Sequence, residues 1–578
     1  MKVYLDGRNI PRRTFLKMAA GAMASSALAA CVPAAAPAAG EAAGEAAGEV
    51  PTEVSEVVLG MSWEHPSFNP LSSRIAGTGQ KLVFDPIFER LFSPMEWGPG
   101  VETMKPPAPG ELHLQLAERV EEVEKNRVWN VHLRKDVKWH DGVPLTADDV
   151  VWTYYAMVHR DVAATIGSQY FALKGAAKLH EEGGDKLEGV QKIDDYTVRF
   201  EFEKPDPYRI GGSPVSFGRY WYVCPKHGWD GVPMEKVGTH EPMAMNPIGT
   251  GPFKVGEIVP EQYAELVANE DWWGGRAVAD KYIFRFLSRE AMDAALHTEE
   301  IMAGGASSAE AWHRLGEVPH LVAFNRPTII LFALDFNNDR LGDMVHPLCE
   351  ATLYALDMDE ILQKTHYGLH GASNYVFEHV PGPVGEPPEG LKTYDFNPEK
   401  AREVLEEAGW DFERELEWVY WADPSPMHLE IQERLADVGI KIKWRIIDVG
   451  SWVEVFPLNA DYDIVLEAWF FTPRFEEMFS HVGCGWDHAT RGGRNWDGYC
   501  NPAMDEAWQA AMAEEDPAKQ VEMFQEVALI MQENWQWAPL YRNGFQCVFN
   551  KRLRGCVPFL EYGLNVTVPY ERMTVAPA

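Results

Sequence analysis

Two pairs of neighbouring carboxylates, Asp148-Asp149 and Asp194-Asp195, are of the type that general acid–base chemistry uses. Such pairs catalyse only when their surroundings push the two pKa values apart. His481, Cys484 and His488 are metal-ligating types, but their spacing matches no known ligand set. Gly249-Thr250-Gly251 lacks the third glycine of a dinucleotide loop and reads as a turn beside a strand. The chain contains no HExxH, GxSxG or GxxxxGK(S/T) motif. No metal and no cofactor are therefore expected. A secreted hydrolase with its residues scattered across the fold is kept as an alternative.

The elements that carry these residues explain the carboxylates without catalysis. In "VWNVHLRKDVKWHDGVPLTADDVVWTYYAM", from Val128, Val131 and Leu133 alternate with polar residues and predict a strand. His140-Asp141-Gly142 predicts a turn. Thr146 then stands three positions before Asp149, the spacing of a capping box, ahead of a helix with Val150, Val151 and Tyr154 on one face. Asp194-Asp195 reads as a turn. Further on, Asn397-Pro398 starts a helix through Ala401, Val404, Leu405 and Ala408, which Gly409 stops. "LEWVY" at 416–420, the alternation of Ile440, Ile442, Trp444 and Ile446, and "YDIVLEAWF" from Tyr462 predict strands; Ile431, Leu435 and Val438 mark a helix between them. Strands alternating with helices imply α/β layers.

Bulk properties limit the function further. The chain has 578 residues, too many for one ordinary core, so two or more lobes are expected. Its formal charge of -35 repels phosphate backbones and argues against nucleic-acid binding. Residues 11–31 read "PRRTFLKMAAGAMASSALAAC": paired arginines, an apolar run from Met18 to Ala30, then Cys31. The run is short of the ~20 residues of a membrane span, and its flanks are those of a secretory signal. It resembles a twin-arginine signal, with Pro11 where Ser or Thr is usual, and Leu28-Ala29-Ala30-Cys31 resembles a bacterial lipobox. The resemblance implies cleavage after residue 30, lipidation of Cys31 and a stable anchor on the outer face of the cytoplasmic membrane. Residues 31–56 are mostly Ala, Gly, Pro and Glu, a composition expected to form a disordered tether. Beyond Cys31, six cysteines suit an exported protein with disulfides. Cys484 with Cys500 and Cys547 with Cys556 are the local pairs; buried thiols are the alternative.

Six segments in order resemble one family, the family 5 extracytoplasmic solute-binding proteins of ABC importers. They are "VHLRKDVKWHDGVPLTADDVV", "NPIGTGPFKV" from Asn246, "NEDWWGGRAVADKYIFRFL" from Asn269, "YALDMDEIL" from Tyr354, "YDFNPEKAREVLEEAGW" from Tyr394 and "GYCNPAMDE" from Gly498. The resemblance implies a large type II periplasmic-binding-protein fold: α/β, two lobes, a hinge and an extra subdomain. Lobe I is then expected at 57–320 with the subdomain at about 86–225, lobe II at 321–538, and a return to lobe I at 539–578. It also implies a binder rather than an enzyme, a small-molecule ligand, permease and ATPase partners, and a monomer.

The ligand is approached through one strand. Peptide binders of the family hold the peptide amine with an acidic residue a few positions after a Trp. Here Trp469 is followed by Phe470, Phe471, Thr472, Pro473 and Arg474, without that aspartate. Asp487 and Asp497 lie further along and are candidates to replace it. The chain holds 21 Trp and 12% aromatic residues, and aromatic faces stack on sugars as well as on side chains. A peptide or peptide-like ligand is expected first and an oligosaccharide second. The expected cleft residues are Trp469, Phe470, Arg474, Trp486, Asp487 and Trp496. The Cys484–Cys500 pairing resembles a disulfide in some relatives and would hold a cleft loop. Trp139, Trp152, Trp272 and Trp273 are expected to pack the structure.

Overall fold

Alternation shapes β1 (Glu56–Met61), in which Val57, Leu59 and Met61 are buried and the residues between them are not. The structure, a computed structural model, describes residues 4–5, 8–9, 55–61, 67–72, 83–93, 113–162, 172–204, 222–373, 375–378, 383–447, 451, 455, 459–470, 475–484, 495, 498–514, 516–554 and 573–576. Residues Met1–Glu53 form one unit and Val54–Ala578 another. The expected signal and tether fall almost wholly outside the described residues.

A four-stranded antiparallel sheet comes next, made of β2 (Ala117–Glu124), β3 (Val128–Leu133), β4 (Val190–Asp194) and β5 (Thr197–Glu201) in the order β2-β3-β5-β4. Helix α1 (Ala147–Val158) packs with it. The capping box at its start is present. The Thr146 N–H donates to Asp149 at 2.9 Å. Asp149 is buried and also accepts the Lys226 N–H at 2.9 Å, so one carboxylate closes a helix end and a distant loop. Asp148 is exposed and pairs with Lys192; Asp194 accepts the Tyr196 N–H in the β4–β5 turn. Both carboxylate pairs thus serve structure. Trp139 and Trp272 are buried, Trp152 lies 5.0 Å from Trp229, and Trp273 donates to the buried Glu89.

Gly249 and Gly251 lie on a bend ahead of the next strand, and space explains them better than turn geometry. A Cβ on Gly249 would stand 1.9 Å from the Ile87 carbonyl oxygen, and one on Gly251 2.5 Å from that of Pro86. His140 fixes the same loop: its Nδ1 accepts the Gly249 N–H at 3.1 Å, and its Nε2 lies 3.1 Å from the Gly251 oxygen.

The largest sheet has eleven strands. One end contains β6 (Phe253–Val259), β7 (Tyr263–Ala268), β8 (Lys281–Phe286), β1 and β9 (Ala303–Gly304). From the middle runs β10 (Leu321–Phe336), followed by α2 (Met358–His366) and the short β11 (Gly371–Ala372). Helix α3 (Pro398–Glu407) starts on Asn397, whose side chain accepts the Lys400 N–H. The other end contains β12 (Glu415–Tyr420), helix α4 (Pro426–Val438), β13 (Lys441–Ile446) and β14 (Ile464–Phe470). The last long strand is β15 (Trp537–Asn550). The sheet order is β6-β7-β8-β1-β9-β15-β10-β14-β12-β13, with β11 added to β15.

Two antiparallel strands therefore run through both halves. Leu321 to Pro327 of β10 pair with Asn550 to Gly544 of β15, beside β9 and β1; Leu331 to Asp335 pair with Arg542 to Trp537, beside β14. The register shifts between these halves. Separate apolar cores match this division. One draws on Leu331 through Tyr541, one on Leu71 through Met243 around the four-stranded sheet, and a third on Val57 through Met302 with Leu553 and Met573. Each core is an independent gain from water exclusion, so the halves behave as lobes joined by two strands.

Candidate functional site

Ligands of open α/β sheets bind beyond the carboxyl ends of the strands. Strands β12, β13 and β14 are parallel and end at Tyr420, Ile446 and Phe470. β14 pairs antiparallel with β10, with Trp469 opposite Leu331 and Phe470 opposite Ile330. The three ends therefore point to the place where β10 and β15 shift register. The backbones of Trp469 and Phe470 occupy that rim. Their side chains, and Arg474, Trp486, Asp487, Trp496 and Asp497 entirely, lie outside the described residues.

What holds the loops around them is described. Cys484 and Cys500 form a disulfide, with Cα atoms 4.5 Å apart. The Cys484 N–H donates to Asp505 at 3.1 Å, and burial pushes this carboxyl above its ordinary value. Asn495 is buried, and its Nδ2 donates to the carbonyls of Gly483 at 2.9 Å and Tyr499 at 2.7 Å. One amide and one disulfide thus tie positions 483, 484, 495, 499 and 500 together. The disulfide removes Cys484 as a metal ligand, and His481 is buried in a helix, so the His481–Cys484–His488 grouping serves no metal. His488 itself lies outside the described residues, as does Cys556, the expected mate of Cys547. Cys224 is a buried thiol whose pKa burial raises.

A second group was not foreseen from the sequence. The rings of His366 and His370 lie 4.5 Å apart, His370 lies 5.5 Å from Tyr541, and Tyr541 stacks on Phe332 at 4.8 Å. On β12, Tyr420 packs on His428 at 4.5 Å and on the exposed Trp421 at 4.7 Å. Burial lowers His370 to about 3 and His428 to about 4, with His366 nearby adding to both shifts. These imidazoles are neutral at pH 7. Beside them the Arg542 guanidinium lies 3.9 Å from Glu378, whose other oxygen accepts from Ser373; burial lowers the Arg542 pKa from its ordinary value. The arrangement offers ring faces, neutral hydrogen-bonding nitrogens and one cation, which suits binding rather than bond-making. Among the described residues no three His, Cys, Asp or Glu side chains gather as a metal site. The only sequence signal was local: two imidazoles four residues apart in "THYGLHG", one closing a helix and one just past it.

Known proteins share this architecture. The oligopeptide-binding protein AppA from Bacillus subtilis, solved with a nonapeptide, superposes with a TM-score of 0.72 at 21% identity, covering 90% of this chain and 99% of that one. NikZ from Campylobacter jejuni, solved with Ni(L-His), gives 0.69 at 21% identity over 90% and 99%. The dipeptide-binding protein of Escherichia coli is 25% identical over 441 residues, 72% of this chain and 78% of the relative. No helix among the described residues is long and apolar enough to cross a membrane. Residues 111–485 match the bacterial extracellular solute-binding proteins, family 5 Middle. The chain belongs to that family: it is an α/β two-lobed solute-binding protein of the ABC importer type and not an enzyme.

Proposed function

We propose that this protein captures a peptide or peptide-like solute between its lobes and hands it to an ABC permease. One observation carries the reading: the carboxyl ends of β12, β13 and β14 point to the place where β10 and β15 pass from one half of the sheet to the other. A ligand held there touches both lobes and favours their closure, a common switching mode. The relatives that bind a dipeptide or a nonapeptide support the ligand class. Lobe limits of 57–320 with 539–578, and 321–538, with a subdomain at about 86–225, are proposed; separate cores support the division into lobes, while Leu321 packs with Met292 and Val548, and Leu540 and Tyr541 pack with Leu331, so β10 and β15 each contribute to both. Trp469, Phe470, Arg474, Trp486, Asp487 and Trp496 are the proposed ligand contacts. The protein acts as a monomer with permease and ATPase partners.

A thermal-shift screen of peptide and glycan panels tests the ligand class, because a ligand raises the midpoint by mass action. Peptides are expected to stabilise. Trp469→Ala and Arg474→Ala are each expected to weaken the best peptide about 10–100-fold by isothermal titration, the scale of losing a central aromatic or charged contact. The missing aspartate after Trp469 and the 21 Trp favour an oligosaccharide as the second reading. Stabilisation by a glucan or xylan oligomer alone would establish it.

Export by the twin-arginine or the general route and lipidation of Cys31 complete the proposal, with the protein held on the outer face of the cytoplasmic membrane. Cys31→Ala is expected to move the protein from the membrane fraction into the soluble exported fraction. Retention of the variant in the membrane fraction would refute the anchor.

A further inference from the structure

We propose that His370 is the positioning residue of the hinge: its imidazole holds the Gly544 backbone where the two linking strands change partners, and so sets the resting angle between the lobes. Along β10 and β15 the pairing steps from Pro327 opposite Gly544 to Leu331 opposite Arg542, so four steps on one strand stand against two on the other. Pro327 has no N–H to give the Gly544 carbonyl. Gln546 Nε2 donates to it instead, at 2.6 Å. The Gly544 N–H leaves the ladder and donates to His370 Nδ1 at 2.8 Å. Asn325 Nδ2 donates to the Leu369 carbonyl at 2.8 Å and clips the same loop to β10. Two neutral side chains thus replace backbone pairing at Gly544, and a third ties the adjoining loop to β10. Side-chain bonds turn about single bonds, which a ladder cannot do without breaking.

His370 differs from the other two because it belongs to lobe II rather than to a linking strand. It directly precedes β11, which pairs with β15 through Gly371 opposite Arg542 and Ala372 opposite Tyr541. Its ring packs on His366 at the end of α2 and on Tyr541. The imidazole therefore connects the hinge to the ring wall beside the carboxyl ends of the lobe II strands. Burial keeps it neutral, so that Nδ1 stays an acceptor.

This inference rests on the hinged reading above but not on the ligand class. Its test uses the full mature chain without ligand, so failure of a peptide screen leaves it intact. Spin labels replace the exposed Glu290 and Asp437, one on each lobe. Pulsed electron resonance then gives the distance distribution, and hydrogen exchange reads the Gly544 amide. His370→Ala is expected to displace the mean distance and to speed exchange at Gly544 about tenfold. His370→Asn, whose Oδ1 takes the place of Nδ1, is expected to restore both. An unchanged distribution in His370→Ala, or Asn behaving as Ala, overturns the proposal. Should His370→Ala fail to fold, His370→Asn and His370→Gln decide. The longer glutamine misplaces the acceptor and displaces the lobes where asparagine does not; equal behaviour of the two overturns it.

Discussion

Gly544→Ala is expected to destabilise the protein by about 3–5 kcal/mol, the sum of overpacking and two disturbed hydrogen bonds. A Cβ at this position would stand 2.1 Å from the Leu369 carbonyl oxygen, 2.6 Å from Asn325 Oδ1 and 3.0 Å from Gln546 Nε2. The first of these is backbone, so no rotamer change relieves it. The Leu369 oxygen is already held by Asn325, and the next residue, His370, accepts the glycine's own N–H. Either the 369–372 segment or β15 must move, and both carry the hinge. Denaturant titration should show a lower midpoint, and ligand affinity should fall with it because the lobes no longer rest at the angle the site requires. A variant within about 1 kcal/mol of wild type, too small for such a clash, would mean that the strands do not approach this closely.

Acid is expected to destabilise the fold well before the carboxylates protonate. Three imidazoles each use Nδ1 to accept a backbone N–H: His140 from Gly249, His370 from Gly544 and His428 from Ser425. Their pKa values are pushed down to about 4, about 3 and about 4, in each case chiefly by burial. For His140 the Lys254 ammonium lowers the value further, while the Gly251 carbonyl and Asp141 oppose the shift. An unfolded histidine titrates near 6.5. The folded value is lower, so below pH 6.5 the unfolded chain binds protons that the native chain does not. Stability is therefore full above about pH 6.5 and falls as pH drops toward each folded value. At pH 5 each group is expected to cost about 2 kcal/mol. His346 adds to the trend: it accepts the Trp535 N–H and is lowered by burial. Urea titrations at pH 7 and pH 5 check this. His140→Asn, which keeps an acceptor but cannot titrate, should flatten the dependence by about 2 kcal/mol. An unchanged slope in that variant would show that His140 is accessible to protons in the native state.

Local elements were readable from the sequence because their causes are local. Asn397-Pro398, Thr146 with Asp149, and the alternation from Ile440 to Ile446 each encode an element within a few residues, and the structure has α3, α1 and β13 there. The rim at Trp469 and Phe470 was legible as the end of a strand. The ring wall was not, because His366, the Tyr420–His428 pair and Tyr541 come from segments distant in the chain that only strand pairing and packing bring together. The glycines show the same limit. Gly249 and Gly251 looked like turn formers, but the need for them comes from Ile87 and Pro86, far back in the chain. Nor does anything around Gly544 announce that Pro327 faces it and withholds a donor.

Ligand is expected to bring the lobes together. Small-angle scattering of the mature protein, with and without a saturating peptide from the thermal screen, measures this directly. A fall in the radius of gyration on binding, lost in Gly544→Ala, is the predicted result. An unchanged radius with the peptide demonstrably bound would contradict the account.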